Sequence, residues 1–166
     1  MEKKKIGIIG TGNYGIALGK RFLMFGFEVV YGSRRPNKEY LKESFGKLAH
    51  EQSYNVTTLN DAWSKSGDVI FLAVNAKQHI YQEIVNSIVN SIKNQGNNQN
   101  APRSKIVVEI SNRSDDEELR NVKISNAQLL DDMFASKLNE ANIFDYKVHV
   151  VKGFNLIDPY SLSSFI

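Results

Sequence analysis

The chain has 166 residues, 42% of them hydrophobic and 23% charged, with 21 Lys+Arg against 18 Asp+Glu, a net charge of +3 and no cysteine. That length suits one domain with a sizeable core, and the lack of cysteine excludes disulfides, zinc–thiolate sites and thiol nucleophiles. No apolar run approaches the roughly 18–20 residues of a membrane helix. The basic start Met1-Glu2-Lys3-Lys4-Lys5 leads into too short an apolar run for a signal peptide. The other basic residues are too scattered for a nucleic-acid stripe. A cytoplasmic domain with a small polyanionic ligand, and no nucleic-acid partner, is the expectation.

Ile6, Ile8 and Ile9 with Gly7 read as a short buried strand, and Gly10 to Gly15 as a turn. Ala17, Leu18, Phe22 and Phe25 recur at helical spacing, which predicts a helix from about Asn13 to Phe25 closed by Gly26. Phe27–Tyr31 is the second strand, and Pro36 is expected to open a helix reaching about Glu51. A short strand at Asn55–Thr57 and a short helix at Leu59–Lys65 follow. The run Asp68–Val74 is continuously apolar after its first residue, as in a parallel strand covered on both faces. Ile80, Ile84, Ile88 and Ile92 at four-residue spacing predict a helix over Gln78–Lys93. The polar, Asn-rich tract within 94–104 cannot bury apolar surface and reads as a flexible loop. Lys105–Ile110 is a strand, Ser125 caps a helix through about Leu138, and Lys147–Lys152 is the last strand. The alternation is that of an α/β Rossmann fold, a doubly wound parallel sheet of order 3-2-1-4-5-6. Ligands of such sheets bind beyond the carboxyl ends of the strands.

Gly10-Thr11-Gly12-Asn13-Tyr14-Gly15 is a G-x-G-x-x-G that follows a strand and opens a helix, the context that gives the pattern meaning. Gly10 permits the tight turn, Gly12 lets the backbone approach a pyrophosphate, and Gly15 lets the helix pack closely on the strand. The helix N-terminus then offers N–H groups and a positive dipole end to the phosphates.

The second strand ends in Tyr31-Gly32-Ser33-Arg34-Arg35, with no acid at the tip to accept from a ribose 2′-hydroxyl. A hydroxyl and two guanidiniums suit a 2′-phosphate instead. At about 1.5–3 kcal/mol per charged hydrogen bond, two such contacts favour NADP(H) over NAD(H) by about two or more orders of magnitude. Lys38 is a further candidate for the same phosphate.

Val74 and Asn75 begin a loop expected to lie over the cofactor. Within it, His79 reads either as a phosphate or ribose contact or as a plain polar residue of a first helical turn. His50 and His149 read as structural. Ser111-Asn112 and Gly153-Phe154-Asn155 follow the fifth and sixth strands, where side chains of these types hydrogen-bond a nicotinamide or flavin ring or merely satisfy a turn. Asp115-Asp116-Glu117-Glu118 reads as a solvated acidic face rather than a metal site, because consecutive side chains point apart. No side chain is assigned a catalytic role, since in hydride transfer the cofactor carries the chemistry.

Five segments in order carry a family resemblance: Gly7–Gly15, Tyr31–Pro36, Glu109–Asn112, Ser125–Leu130 and Val150–Ile157. Together they resemble the cytosolic oxidoreductase domain of the STEAP metalloreductases and the deazaflavin-dependent NADP oxidoreductases. The resemblance implies NADPH at the glycine loop, Ser33 and Arg34 on its 2′-phosphate, and a flavin such as FAD near Ser111, Asn112, Lys152, Phe154 and Asn155. In STEAP proteins hydride passes from NADPH to FAD, and electrons then reach a membrane haem and ferric or cupric ions. The membrane haem domain would belong to a longer parent protein, with this domain on the cytosolic face. The family pattern continues past the last strand, so 1–166 reads as a C-terminally incomplete NADP(H)-binding domain. The Asn-rich tract is an insertion relative to that pattern, the 75–79 loop is one residue longer, and Gly153 stands where the family has alanine. A soluble flavin- or deazaflavin-dependent NADP oxidoreductase and a non-catalytic NADP(H)-binding module stay open beside this reading, as does a homo-oligomer.

Overall fold

A computed structural model describes residues 4–46, 54–95, 103–111, 124–154, 157 and 159–163. The elements are β1 (Lys5–Ile9), α1 (Asn13–Met24), β2 (Glu28–Gly32), α2 (Lys38–Phe45), β3 (Tyr54–Thr57), α3 (Leu59–Lys65), β4 (Val69–Leu72), α4 (Gln78–Gln95), β5 (Ser104–Glu109), α5 (Asn126–Glu140), β6 (Lys147–Lys152) and α6 (Pro159–Ser163). The strands form one sheet in the order β3-β2-β1-β4-β5-β6, and every pairing is parallel. This is the doubly wound Rossmann sheet expected from the alternation. Its order reverses between β1 and β4, which pair through Gly7–Ile70, Ile8–Phe71 and Ile9–Leu72.

Alternate strand residues point to opposite faces, so each face has its own core. Ile9, Ile70, Leu72 and Val107 meet Trp63 of α3, Tyr81, Ile84 and Ile88 of α4, and Leu130 and Phe134 of α5. Ile8, Tyr31, Phe71 and Val108 meet Ile16, Leu18 and Leu23 of α1 and Leu41 and Phe45 of α2. The four-residue isoleucine series of α4 turns inward as its spacing requires: Ile84, Ile88 and Ile92 are buried and Ile80 packs at the margin.

Helix ends follow local chemistry. Beyond α1, Gly26 takes φ 81°, and the N–H groups of Phe25, Gly26 and Phe27 close the last turn on Arg21, Leu23 and Phe22 carbonyls. The second helix begins later than Pro36, because the Asn37 side chain accepts from Tyr40 N–H at 3.1 Å and makes Asn37 the N-cap. It ends at Phe45, with Gly46 at φ 55° closing it on the Lys42 carbonyl; the rest of the expected reach to Glu51, residues 47–51, lies outside the described ones. Thr58 and Ser125 cap α3 and α5 through Asp61 and Gln128 N–H. The tract expected as a loop at 94–104 is helical at Asn94 and Gln95, where α4 ends, and in β5 at Ser104; residues 96–102 lie outside the described ones. The short α6 was not foreseen and packs on α1. Among the described residues no helix is long and apolar enough to cross a membrane.

Candidate functional site

The strand order places the glycine turn at the centre of the carboxyl edge. Gly10 carries φ 115°, and a Cβ on it would stand 2.1 Å from the Ala73 carbonyl oxygen. One on Gly15 would stand 2.3 Å from the Gly10 carbonyl oxygen. Both glycines therefore serve the packing of the turn against α1 and β4. Gly12 differs: a Cβ there meets no atom within 4 Å. It is the N-cap of α1, with no side-chain cap and no acid in the first turn. The first helical bond runs from Ile16 N–H to the Gly12 carbonyl. A cleft of about 680 Å³ opens here, lined in part by Gly10, Thr11 and Gly12 of the turn, by Ser33, Arg34 and Arg35 beyond β2, and by Val74 and Asn75 beyond β4. Leu59 of α3 and Ile80 and Ile84 of α4 supply its apolar side.

The Ser33 hydroxyl accepts from Arg35 N–H at 3.2 Å, which fixes the turn that presents the two guanidiniums. Arg34 reaches across to Glu83 of α4 at 3.8 Å. Lys38 stands at the first position of α2. Asn13 is exposed, His79 is exposed in the first turn of α4, and neither is among the lining residues. Tyr14 turns away from the cleft and donates from its hydroxyl to the Phe154 carbonyl at 2.6 Å.

A second cluster occupies the carboxyl ends of β5 and β6. Glu109 is fully buried. Its Oε1 accepts from the Tyr81 hydroxyl at 3.0 Å, from Ser111 N–H at 2.8 Å and from the Ser111 hydroxyl, and its Oε2 accepts from the Lys152 ammonium at 2.6 Å. Lys152 also donates to the Ser111 carbonyl, and Asn126 Nδ2 donates to the Ser111 hydroxyl at 3.3 Å. With its carboxylate so fully satisfied, the buried Glu109 holds Ser111 and the partly exposed Lys152 at the edge of the sheet. Burial, and then the Glu109 charge, push the Tyr81 hydroxyl far above the usual phenol range, so it stays a donor. Gly153 N–H bonds the Glu109 carbonyl at 3.1 Å. Phe154, at φ 61°, sets its ring edge-on to Phe71 with 5.5 Å between centroids.

Gly10, Thr11, Gly12, Ser33, Arg34, Arg35, Val74 and Asn75 thus share one cleft, whereas Ser111, Lys152, Gly153 and Phe154 gather at the second cluster. Asn112, Asn155, His50 and the acidic run 115–118 lie outside the described residues. Sequence reasoning missed Glu83, Tyr81 and Glu109. Glu109 opens the Glu109–Asn112 segment of the family resemblance, but nothing local in the sequence signals its burial.

A family model described as "NADP oxidoreductase coenzyme F420-dependent" matches residues 5–113, which include the glycine turn, the β2 tip and β5. The chain belongs to this family. Among curated relatives, metalloreductase STEAP3 of Rattus norvegicus is 32% identical over 163 residues, 98% of this chain and 27% of that protein. Metalloreductase STEAP2 of Homo sapiens is 25% identical over 97% of this chain and 26% of its own length. The chain therefore spans about a quarter of the length of these relatives. A UDP-glucose dehydrogenase from Pyrobaculum islandicum superposes at TM-score 0.63 with 16% identity, covering 99% of this chain and 39% of the other. An imine reductase from Myxococcus stipitatus in complex with NADP+ does so at 0.55 with 16% identity, covering 93% and 42%. At those identities the likeness is one of fold. Family and relatives together make this an NADP oxidoreductase domain related to the STEAP metalloreductases.

Proposed function

We propose that this domain holds NADPH in the 680 Å³ cleft and passes hydride to a flavin or deazaflavin seated by the second cluster. The observation that carries the reading is the open space over Gly12, bounded by an uncapped helix N-terminus and by Ser33, Arg34 and Arg35. A glycine whose Cβ would meet nothing has no packing reason to be glycine, and a pyrophosphate laid against its backbone supplies one. The first turn of α1 directs its N–H groups and dipole at that pyrophosphate. Ser33 and the two guanidiniums receive the 2′-phosphate, for which Lys38 is a further candidate. Leu59, Ile80 and Ile84 pack an adenine ring, and Val74 and Asn75 border the ribose. When bound, NADPH supplies the hydride and the flavin accepts it. Lys152, Ser111 and Phe154 orient that acceptor, together with Asn112 and Asn155.

The family description favours a deazaflavin acceptor. The resemblance carried by the five sequence segments favours FAD as the first carrier toward haem and a ferric or cupric ion in a longer membrane protein, in keeping with the metalloreductase names of the relatives. Calorimetric titration with NADPH and NADH, with and without FAD, tests the reading in the wild type and Arg34→Ala. NADPH should bind the wild type about 100-fold more tightly than NADH. Arg34→Ala should weaken NADPH about 10- to 100-fold and leave NADH within twofold. Equal losses for both nucleotides would sink the specificity assignment.

A further inference from the structure

Two basic side chains and one acidic one line the cleft, and the acid touches a base. Glu83 lies on α4 three residues after Ile80 and one before Ile84, on the stripe that forms the apolar side of the cleft. Its carboxylate sits at the rim, 3.8 Å from the Arg34 guanidinium, with both side chains more than half exposed at 57% and 71%. We infer that Glu83 sets nucleotide selectivity by competing with the 2′-phosphate for Arg34. The inference rests on the NADP(H) reading of the cleft.

The chemistry is that of one cation and two rival anions. Without nucleotide, Glu83 holds Arg34 across the cleft mouth. A 2′-phosphate carries up to two negative charges and three acceptor oxygens, against one charge and two oxygens for the carboxylate, so it takes the guanidinium over. It then has the displaced carboxylate as a neighbour of like sign. NADH carries no such phosphate and leaves the pair intact. Glu83 therefore lowers affinity for the phosphorylated cofactor alone, which also eases release of NADP+. The size is modest, because an ion pair this exposed is worth at most about fivefold in an equilibrium constant, with like-charge repulsion adding a similar factor.

The test is calorimetry on the full chain and its Glu83→Gln, Arg34→Ala and doubly substituted variants, using NADPH, NADH and 2′,5′-ADP. Circular dichroism verifies that each variant is folded, and glutamine preserves the shape of this exposed helical position. Glu83→Gln should tighten NADPH and 2′,5′-ADP three- to tenfold and leave NADH within twofold, and the gain should fall below twofold when Arg34 is alanine. A wild type that prefers NADPH, with Glu83→Gln unchanged, would overturn the competition and leave the NADP(H) reading standing. Equal weakening of NADPH and NADH by Glu83→Gln would overturn it too, in favour of a plain contact to the shared adenosine. A wild type with no preference for NADPH would remove the reading itself and the inference with it.

Discussion

Gly12 has φ −76° and ψ 177°, values open to any residue, and the space beside it is empty. Gly10 and Gly15 are held to glycine by backbone oxygens that a Cβ would strike. The three glycines of one motif therefore answer to different forces: two to the fold, and the middle one to the ligand. Gly12→Val should fold, with a melting temperature within a few degrees of wild type, and should lose detectable binding of NADPH and NADH alike. Thermal unfolding paired with calorimetry checks this. A folded Gly12→Val chain that still binds either nucleotide would show that the pyrophosphate lies elsewhere.

At the scale of the element, β5 reverses what its composition suggests. Lys105, Val107 and Glu109 share the face toward α3, α4 and α5, with the lysine 3% and the glutamate 0% exposed, while Ile106 on the other face is 40% exposed. At the start of the strand the Lys105 ammonium donates to the carbonyls of Trp63 (2.5 Å), Ser66 (3.0 Å) and Gly67 (3.0 Å) and to the Ser66 hydroxyl (3.2 Å). It thereby satisfies the carbonyl end of α3 and its exit turn. Burial brings its pKa down to about 8, with Asp68 opposing. Between pH 8 and 10.5 the unfolded chain therefore binds more proton at Lys105 than the folded one does, and this residue's contribution to stability rises with pH. From pH 8 to pH 10 the rise comes to about 2 kcal/mol. Denaturant unfolding at pH 8 and pH 10 should show wild type gaining that much relative to Lys105→Met. Parallel pH curves for the two proteins would refute the buried titration.

Across the whole molecule, the chain after β6 returns to the glycine-loop helix. The Tyr14 hydroxyl bonds the Phe154 carbonyl, Arg21 Nε bonds the Leu162 carbonyl at 2.5 Å, and α6 packs on α1. The C-terminal end of the described fold thus packs on the helix that opens the cleft, and the Tyr14 side chain ties that helix to the Phe154 carbonyl beside the second cluster. Tyr14→Phe removes one solvent-exposed bond of this link and should cost about 1 kcal/mol or less. It should raise amide hydrogen exchange at 153, 154 and 157, with NADPH affinity within a fewfold of wild type. Unchanged exchange there would mean that the helix contact alone holds the segment.

The elements and their order were legible because each rests on local chemistry. Periods of two and 3.6, the cap at Ser125 and a continuous apolar run at β4 placed the strands and helices nearly as found. Leu59–Lys65 and Lys147–Lys152 fell on the observed bounds. The cleft residues at the glycine turn and the β2 tip were legible for the same reason, since parallel α/β topology carries every strand's carboxyl end to one edge. Charges buried or paired by distant neighbours were not. Lys105 and Glu109 look like solvent-facing residues of a strand, and Glu83 like any acid on a helix, because nothing near them in sequence says what will cover the first two or pair with the third. Their partners stand 28 to 49 residues away, at Trp63, Tyr81, Lys152 and Arg34. A lysine or glutamate enters a core only where several fixed polar groups converge on it. That convergence exists only once the sheet has formed and the helices have packed on it.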